Sequence, residues 1–105
     1  MWTVQLTAVA AAELAALAED QRARFMRIGT LIQGHGLERV HQPHVAHLEG
    51  PLWEIRMKGK DSIARALYVT RTSQRVVVVR VFVKKTQKTP RRELELALKR
   101  AEEIA

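Results

Sequence analysis

Between Arg75 and Pro90 the chain reads Arg-Val-Val-Val-Val-Arg-Val-Phe-Val-Lys-Lys-Thr-Gln-Lys-Thr-Pro. Seven of the nine residues from Val76 to Lys84 are β-branched or aromatic, with no Gly or Pro among them. Branching at Cβ restricts χ1 and packs well on a pleated surface, so this run is the strongest strand signal in the chain. One parity, Val77, Val79, Val81 and Val83, is wholly apolar and is expected to face a core. The other, Val76, Val78, Arg80, Phe82 and Lys84, is mixed and runs out into Lys85 and Lys88. A strand that buries one side and ends in lysines holds positive charge on a rigid support, as a phosphate site requires. Lysines that only solvate a strand end give the same pattern.

The distribution of the remaining charge bears on that choice. Residues 1–50 carry four Lys/Arg against five Asp/Glu, whereas residues 51–92 carry twelve Lys/Arg against only Glu54 and Asp61. A positive field concentrated in one part of a fold favours polyanions through phosphate neutralisation and counterion release; solubility or an acidic protein partner is the other reading. The 105 residues suit a single domain, 1–105, with a small core. With no cysteine there is no disulfide framework and no thiolate zinc site, which fits a reducing cytoplasm. No apolar run approaches the roughly 20 residues of a membrane span. The opening Met-Trp-Thr-Val-Gln has no basic n-region, so neither a signal peptide nor a membrane partner is expected.

In chain order, Trp2 to Leu6 alternates as a short strand, and Thr7 is placed to cap an Ala- and Leu-rich helix from Ala8 to about Ala18. A second helix is expected over Asp20 to Gln33, with Phe25, Ile28, Leu31 and Ile32 as its apolar stripe and Arg22, Arg24 and Arg27 on a solvated face. Gly34-His35-Gly36 supplies a positive-φ stop, and the two helices read as an antiparallel hairpin. Residues 37–50 read as a loop punctuated by Pro43 and Gly50. His41, His44 and His47 lie in it at three-residue spacing, near His35 and Glu49, but Pro43 interrupts any common helical face and no established ligand pattern fits. They are read as surface histidines, and no metal or other cofactor is expected.

Leu52 to Lys58 alternates sharply, with Trp53, Ile55 and Met57 on one side and Leu52, Glu54, Arg56 and Lys58 on the other. After a turn at Gly59–Ser62, Ile63 to Thr70 forms the next strand, in which Arg65 shares a parity with Ile63, Leu67 and Val69. An arginine among apolar neighbours implies either a bulge that re-aims it or a half-buried charge held for a purpose. Thr72-Ser73-Gln74 turns the chain into the valine strand. Thr89 and Pro90 then suit the cap and first position of an amphipathic helix running to Ile104. The expected fold is α+β: a small antiparallel meander with an N-terminal helical hairpin and a C-terminal helix. There is no internal repeat or P-loop, and no nucleophile–histidine constellation can be argued.

Leu-Trp-Glu-Ile-Arg at 52–56, Ala-Arg-Ala-Leu-Tyr at 64–68 and Val-Phe-Val-Lys-Lys-Thr-Gln-Lys-Thr-Pro at 81–90, in this order of elements, resemble the RelE/HigB-type toxins. The likeness is strongest to the phage-derived, HigB-like branch of the RelE/ParE superfamily and spans nearly the whole chain. It implies the RelE-like fold and a toxin of a type II toxin–antitoxin pair, held by a cognate antitoxin that is usually a helix-turn-helix protein. Operator DNA would be contacted only through that antitoxin. Such toxins enter the ribosome and cut messenger RNA without metal: the ribose 2′-hydroxyl attacks the adjacent phosphate, giving a 2′,3′-cyclic phosphate and a 5′-hydroxyl. That chemistry needs a base at the 2′-oxygen, cations on the non-bridging oxygens and an acid for the leaving oxygen.

Carried over by the resemblance, Arg56 and Arg65 match the family's strand arginines and Lys84 and Lys85 its lysine pair. The arginines are expected to clamp the scissile phosphate, and either lysine to stabilise charge or move a proton. Arg56 pairing outward with Glu54 is the structural alternative. Lys58, Arg80, Lys88 and Arg91 are expected on the RNA backbone, with Tyr68 and Phe82 stacking on bases or packing in the core. Some relatives use a His or Tyr near the C-terminus, and this chain has neither after Tyr68. The acid would then be a lysine, an arginine, Tyr68 or a ribosomal group. Two other classes remain: a ParE-like toxin that binds gyrase, and a non-catalytic module that binds nucleic acid or only its antitoxin.

Overall fold

The computed structural model describes residues 1–41, 43–85 and 88–104, so Thr86 and Gln87 of the last motif lie outside the described residues. In order, the elements are β1 (Thr3–Leu6), α1 (Ala8–Ala15), α2 (Glu19–His35), a 3-10 turn at Leu37–Arg39, β2 (Val45–Glu49), β3 (Leu52–Lys58), β4 (Ile63–Arg71), β5 (Arg75–Lys84) and α3 (Arg91–Glu102). The strands form one sheet in the order β1-β5-β4-β3-β2. From β2 to β5 it is an antiparallel meander, but β1 joins it parallel to β5, so the sheet is mixed. A strand separated from its neighbour by both helices and three strands returns in the opposite sense to a hairpin partner, which sequence alternation alone does not reveal.

The segment read as a loop over 37–50 contains β2. Val-Ala-His-Leu-Glu is a weak strand sequence, and it is ordered by pairing with the edge of β3. The helical hairpin is not found either. α1 lies along β5 and β1 and α2 against β3 and β1, so their main contacts are with the sheet rather than with each other. Thr7 does cap α1, its hydroxyl accepting from the Ala10 N–H at 3.1 Å. Gly36, at φ 92°, ends α2 in the left-handed region. At α3 no side-chain cap forms; Pro90 takes the cap position and Thr89 precedes it.

Both faces of the sheet are covered. Ile55, Met57, Ala66, Tyr68, Val76, Val78 and Val81 pack with Phe25, Ile28 and Ile32 of α2, while Leu52, Leu67, Val69, Val77, Val79 and Phe82 pack with Leu94, Ala97 and Ala101 of α3. The single-parity reading of β5 therefore fails. Leu67 pairs with Arg80 but Tyr68 pairs with Val78, so Val79 is an extra residue and the alternation resets there. Side chains hold this bulge in place. The Val81 N–H donates to Glu13 Oε1 at 3.0 Å, and Arg100 Nη1 donates to the Val79 carbonyl at 2.9 Å.

Candidate functional site

Residues paired across an antiparallel ladder share a face, so register alone builds the site. Arg56 pairs with Arg65 and Arg65 with Phe82; one step further out, Lys58 pairs with Ile63 and Ile63 with Lys84. Two adjacent rows thus place Arg56, Arg65, Lys58 and Lys84 on the α3 face of the sheet. α3 covers the other end of this face. The outer row stays open, with Lys58 exposed, Lys84 half-buried and Ile63 39% exposed.

Behind these rows stands Glu54, fully buried. Its Oε2 accepts from Arg56 Nε at 2.9 Å and also from Arg65 Nη1. The Arg56–Glu54 pair weighed from the sequence is therefore present, and Glu54 holds Arg65 as well. The register runs without a break past Arg65, so no bulge re-aims it. The buried carboxylate explains why the guanidinium sits among apolar neighbours. Glu54 Oε1 and Arg65 Nε have no hydrogen-bond partner among the described residues.

Lys84 feels the same cluster. Partial desolvation, then the Arg65 charge, and less strongly Arg56, hold its ammonium below the ordinary lysine range, with Glu54 opposing. Next to the arginines is a cavity of about 290 Å³ lined by Arg24, Pro43, His44, Arg56, Lys58, Ile63 and Arg65. Arg24 and His44 were read from the sequence as a solvated helix residue and a loop histidine. Their approach depends on how α2 and the strand before β3 fold back, and no local pattern signals it.

Other expected site residues lie elsewhere. Lys85 is exposed and lines a separate groove with Arg80, Phe82 and Arg92. Arg80 is not a free cation: it donates to Glu93 at 2.7 Å and to Glu13, and these partners raise its pKa further. Phe82 is buried against α3 with the Arg80 guanidinium 5.6 Å from its ring centre, and Tyr68 is wholly buried in the opposite core. Of the two readings made from the sequence, both rings take the core-packing one. Lys88 is exposed, and Arg91 is exposed but paired through two nitrogens with Glu49. The histidines do not converge on a metal. His47 packs tilted against Trp53, ring centres 4.8 Å apart, and bonds the Gly50 carbonyl, and no group of three or more metal-binding side chains occurs among the described residues.

Residues 12–102 match the protein family described as "Phage derived protein Gp49-like (DUF891)". The chain belongs to this family. The Gp49-like proteins are a RelE/HigB-like toxin family, so the resemblance seen in the strand motifs holds. Among solved structures, the chain is similar to RelE in the archaeal RelE–RelB complex from Pyrococcus horikoshii. That match has a TM-score of 0.57 at 18% identity and covers 78% of this chain and 93% of the archaeal one. At such identity the likeness establishes the RelE-like fold. No curated protein matches the chain in sequence. No described helix of this Gp49-like protein is long and apolar enough to cross a membrane.

Proposed function

We propose that this Gp49-like protein is the toxin of a type II toxin–antitoxin pair and cuts messenger RNA on the ribosome by metal-independent attack of the 2′-hydroxyl. The observation that carries the reading is the pair of cross-strand rows at the open end of the sheet. They bring two arginines and two lysines from β3, β4 and β5 beside a cavity large enough for a nucleotide phosphate. Arg56 and Arg65, with their forks oriented by Glu54, bind the non-bridging oxygens of the scissile phosphate. Lys84, its ammonium disfavoured by partial desolvation and then by the neighbouring arginines, accepts the 2′-proton. Lys58 holds the flanking backbone, and Lys85, Lys88 and Arg91 add charge farther along the strand. The archaeal RelE was crystallised with RelB, which supports a dedicated antitoxin here too.

Primer extension on messages from cells briefly expressing the protein tests this, with Lys84→Ala as control. Cuts inside translated codons, lost in the control, are expected. Growth arrest with intact messages and a DNA damage response would instead mark a gyrase-directed toxin. One observation favours the non-catalytic alternative: Glu54 already partners both arginines, as purely structural guanidiniums would be partnered. That alternative predicts salt-sensitive RNA binding with neither cuts nor arrest.

A further inference from the structure

Cleavage by the 2′-oxygen must balance. The 2′-proton goes to a base, the P–O5′ bond breaks with its electron pair on the leaving oxygen, and that oxygen must gain a proton. In the proposed reaction Lys84 already takes the 2′-proton, so a second group has to protonate the leaving oxygen. Arginine does not release its proton in proteins. Tyr68 is wholly buried in the α2-side core, away from the arginine rows. An acid is still required.

We infer that His44 is a catalytic residue of this site and delivers the proton to the leaving 5′-oxygen, an assignment that rests on the ribonuclease reading above. His44 is the histidine that lines the cavity shared by Arg56 and Arg65. Its place there is fixed by the backbone: the Arg56 N–H donates to the His44 carbonyl at 2.8 Å, continuing the β2–β3 ladder by one residue. On its other side the His41 carbonyl accepts from the N–H groups of His44 at 3.0 Å and Val45 at 3.2 Å, closing a tight turn. His44 is half-buried, and with Pro43 it forms the partition to a second cavity that holds His35 and His41. His47 is engaged by Trp53 and Gly50. The charged groups around the first cavity are Arg24 from α2, Arg56 and Lys58 from β3, and Arg65 from β4. These four cations attract the phosphate. Set among them, the His44 imidazole can present a ring N–H to the leaving oxygen.

The test is single-turnover cleavage of messenger RNA on programmed ribosomes by wild type and His44→Ala. It uses one message with the normal 5′-oxygen at the cut and one with sulfur in that bridging position. A thiolate leaves without being protonated, so the sulfur message does not need the acid. His44→Ala is expected to cut the oxygen message about 100-fold or more slowly, to cut the sulfur message nearly as fast as wild type, and to keep wild-type half-saturation. Equal slowing on both messages would overturn the assignment by showing that His44 acts through structure or positioning. Unchanged cutting of the oxygen message would overturn it outright. If wild type cuts neither message, the ribonuclease reading fails first and this assignment falls with it.

Discussion

Arg65 and Glu54 form an ion pair inside the sheet, with side-chain exposures of only 9% and 0%. Arg56 reaches the same carboxylate oxygen from a position that is 35% exposed. One buried carboxylate thus fixes two guanidiniums, and both line the cavity. The arrangement links stability to the proposed phosphate clamp.

Glu54→Gln keeps the side chain's shape and leaves Arg65 buried without a counter-ion. Removing one partner of a buried pair costs about 3–5 kcal/mol, and urea denaturation is expected to show a loss of that order. Replacing both partners, Glu54→Leu with Arg65→Met, should recover most of it, since apolar groups of similar volume commonly substitute for a buried pair at little cost. A wild-type urea midpoint for Glu54→Gln would show that the pair does not support the fold.

Lys84 accepts a proton in the proposed reaction, so cleavage of the sulfur-bridged message, which needs no acid, should rise with pH as the amine loses its charge. Desolvation and then Arg65 and Arg56 lower its pKa, placing that rise below the ordinary lysine range. Arg56→Gln removes one of those cations and should move the rise to higher pH. Lys84→Arg keeps the charge but cannot act as a base, and its cleavage should be lost across the whole pH range. A pH–rate profile of the three proteins checks each point.

Glu13 anchors the bulge in β5. Burial pushes its carboxyl up, but hydrogen bonds from Arg100, the Val81 N–H and Arg80, with the Arg80 charge, outweigh that and leave it below the usual carboxylate range. A depressed folded-state pKa gives stability that is present above the unfolded pKa and lost as pH falls through the folded one. Glu13→Gln should therefore cost about 2 kcal/mol at neutral pH, the scale of a hydrogen-bonded charge. The difference from wild type should close in acid. Thermal unfolding from neutral pH into that acid range reads both parts.

Arg91 and Glu49 form an exposed pair, and an exposed pair contributes little to folding. Glu49→Ala should leave the unfolding midpoint nearly unchanged while releasing Arg91 for phosphate. The slope of log affinity for RNA against log salt should steepen by about one. An unchanged slope would remove Arg91 from the RNA-contacting set.

Where local periodicity decides structure, the chain was readable: β3, β4, β5, α2 and the Thr7 cap all follow from alternation, helical spacing and capping chemistry. Alternation assumes no inserted residue, so it misassigned the faces of β5 beyond Val79. Arg65 stood out because its neighbours are apolar, but its partner lies 11 positions away on another strand. Arg80 looked like a free cation for the same reason, since Glu13 and Glu93 are 67 and 13 residues distant. His44 and β2 were hidden in a segment whose order comes from pairing with β3 and not from its own propensity. Charge and motif order located the open end of the sheet, and only the register showed that Lys84 joins the arginines while Lys85 does not.

The most direct measurement is the chemistry of the cut ends when purified protein meets a programmed ribosome. Lys84→Ala is a better control than Arg65→Ala, because Lys84 is only half-buried and carries no ion pair with Glu54 among the described contacts. The proposed mechanism predicts 2′,3′-cyclic phosphate and 5′-hydroxyl ends from wild type and none from Lys84→Ala. Uncut message, or ends carrying a 3′-hydroxyl, would contradict it.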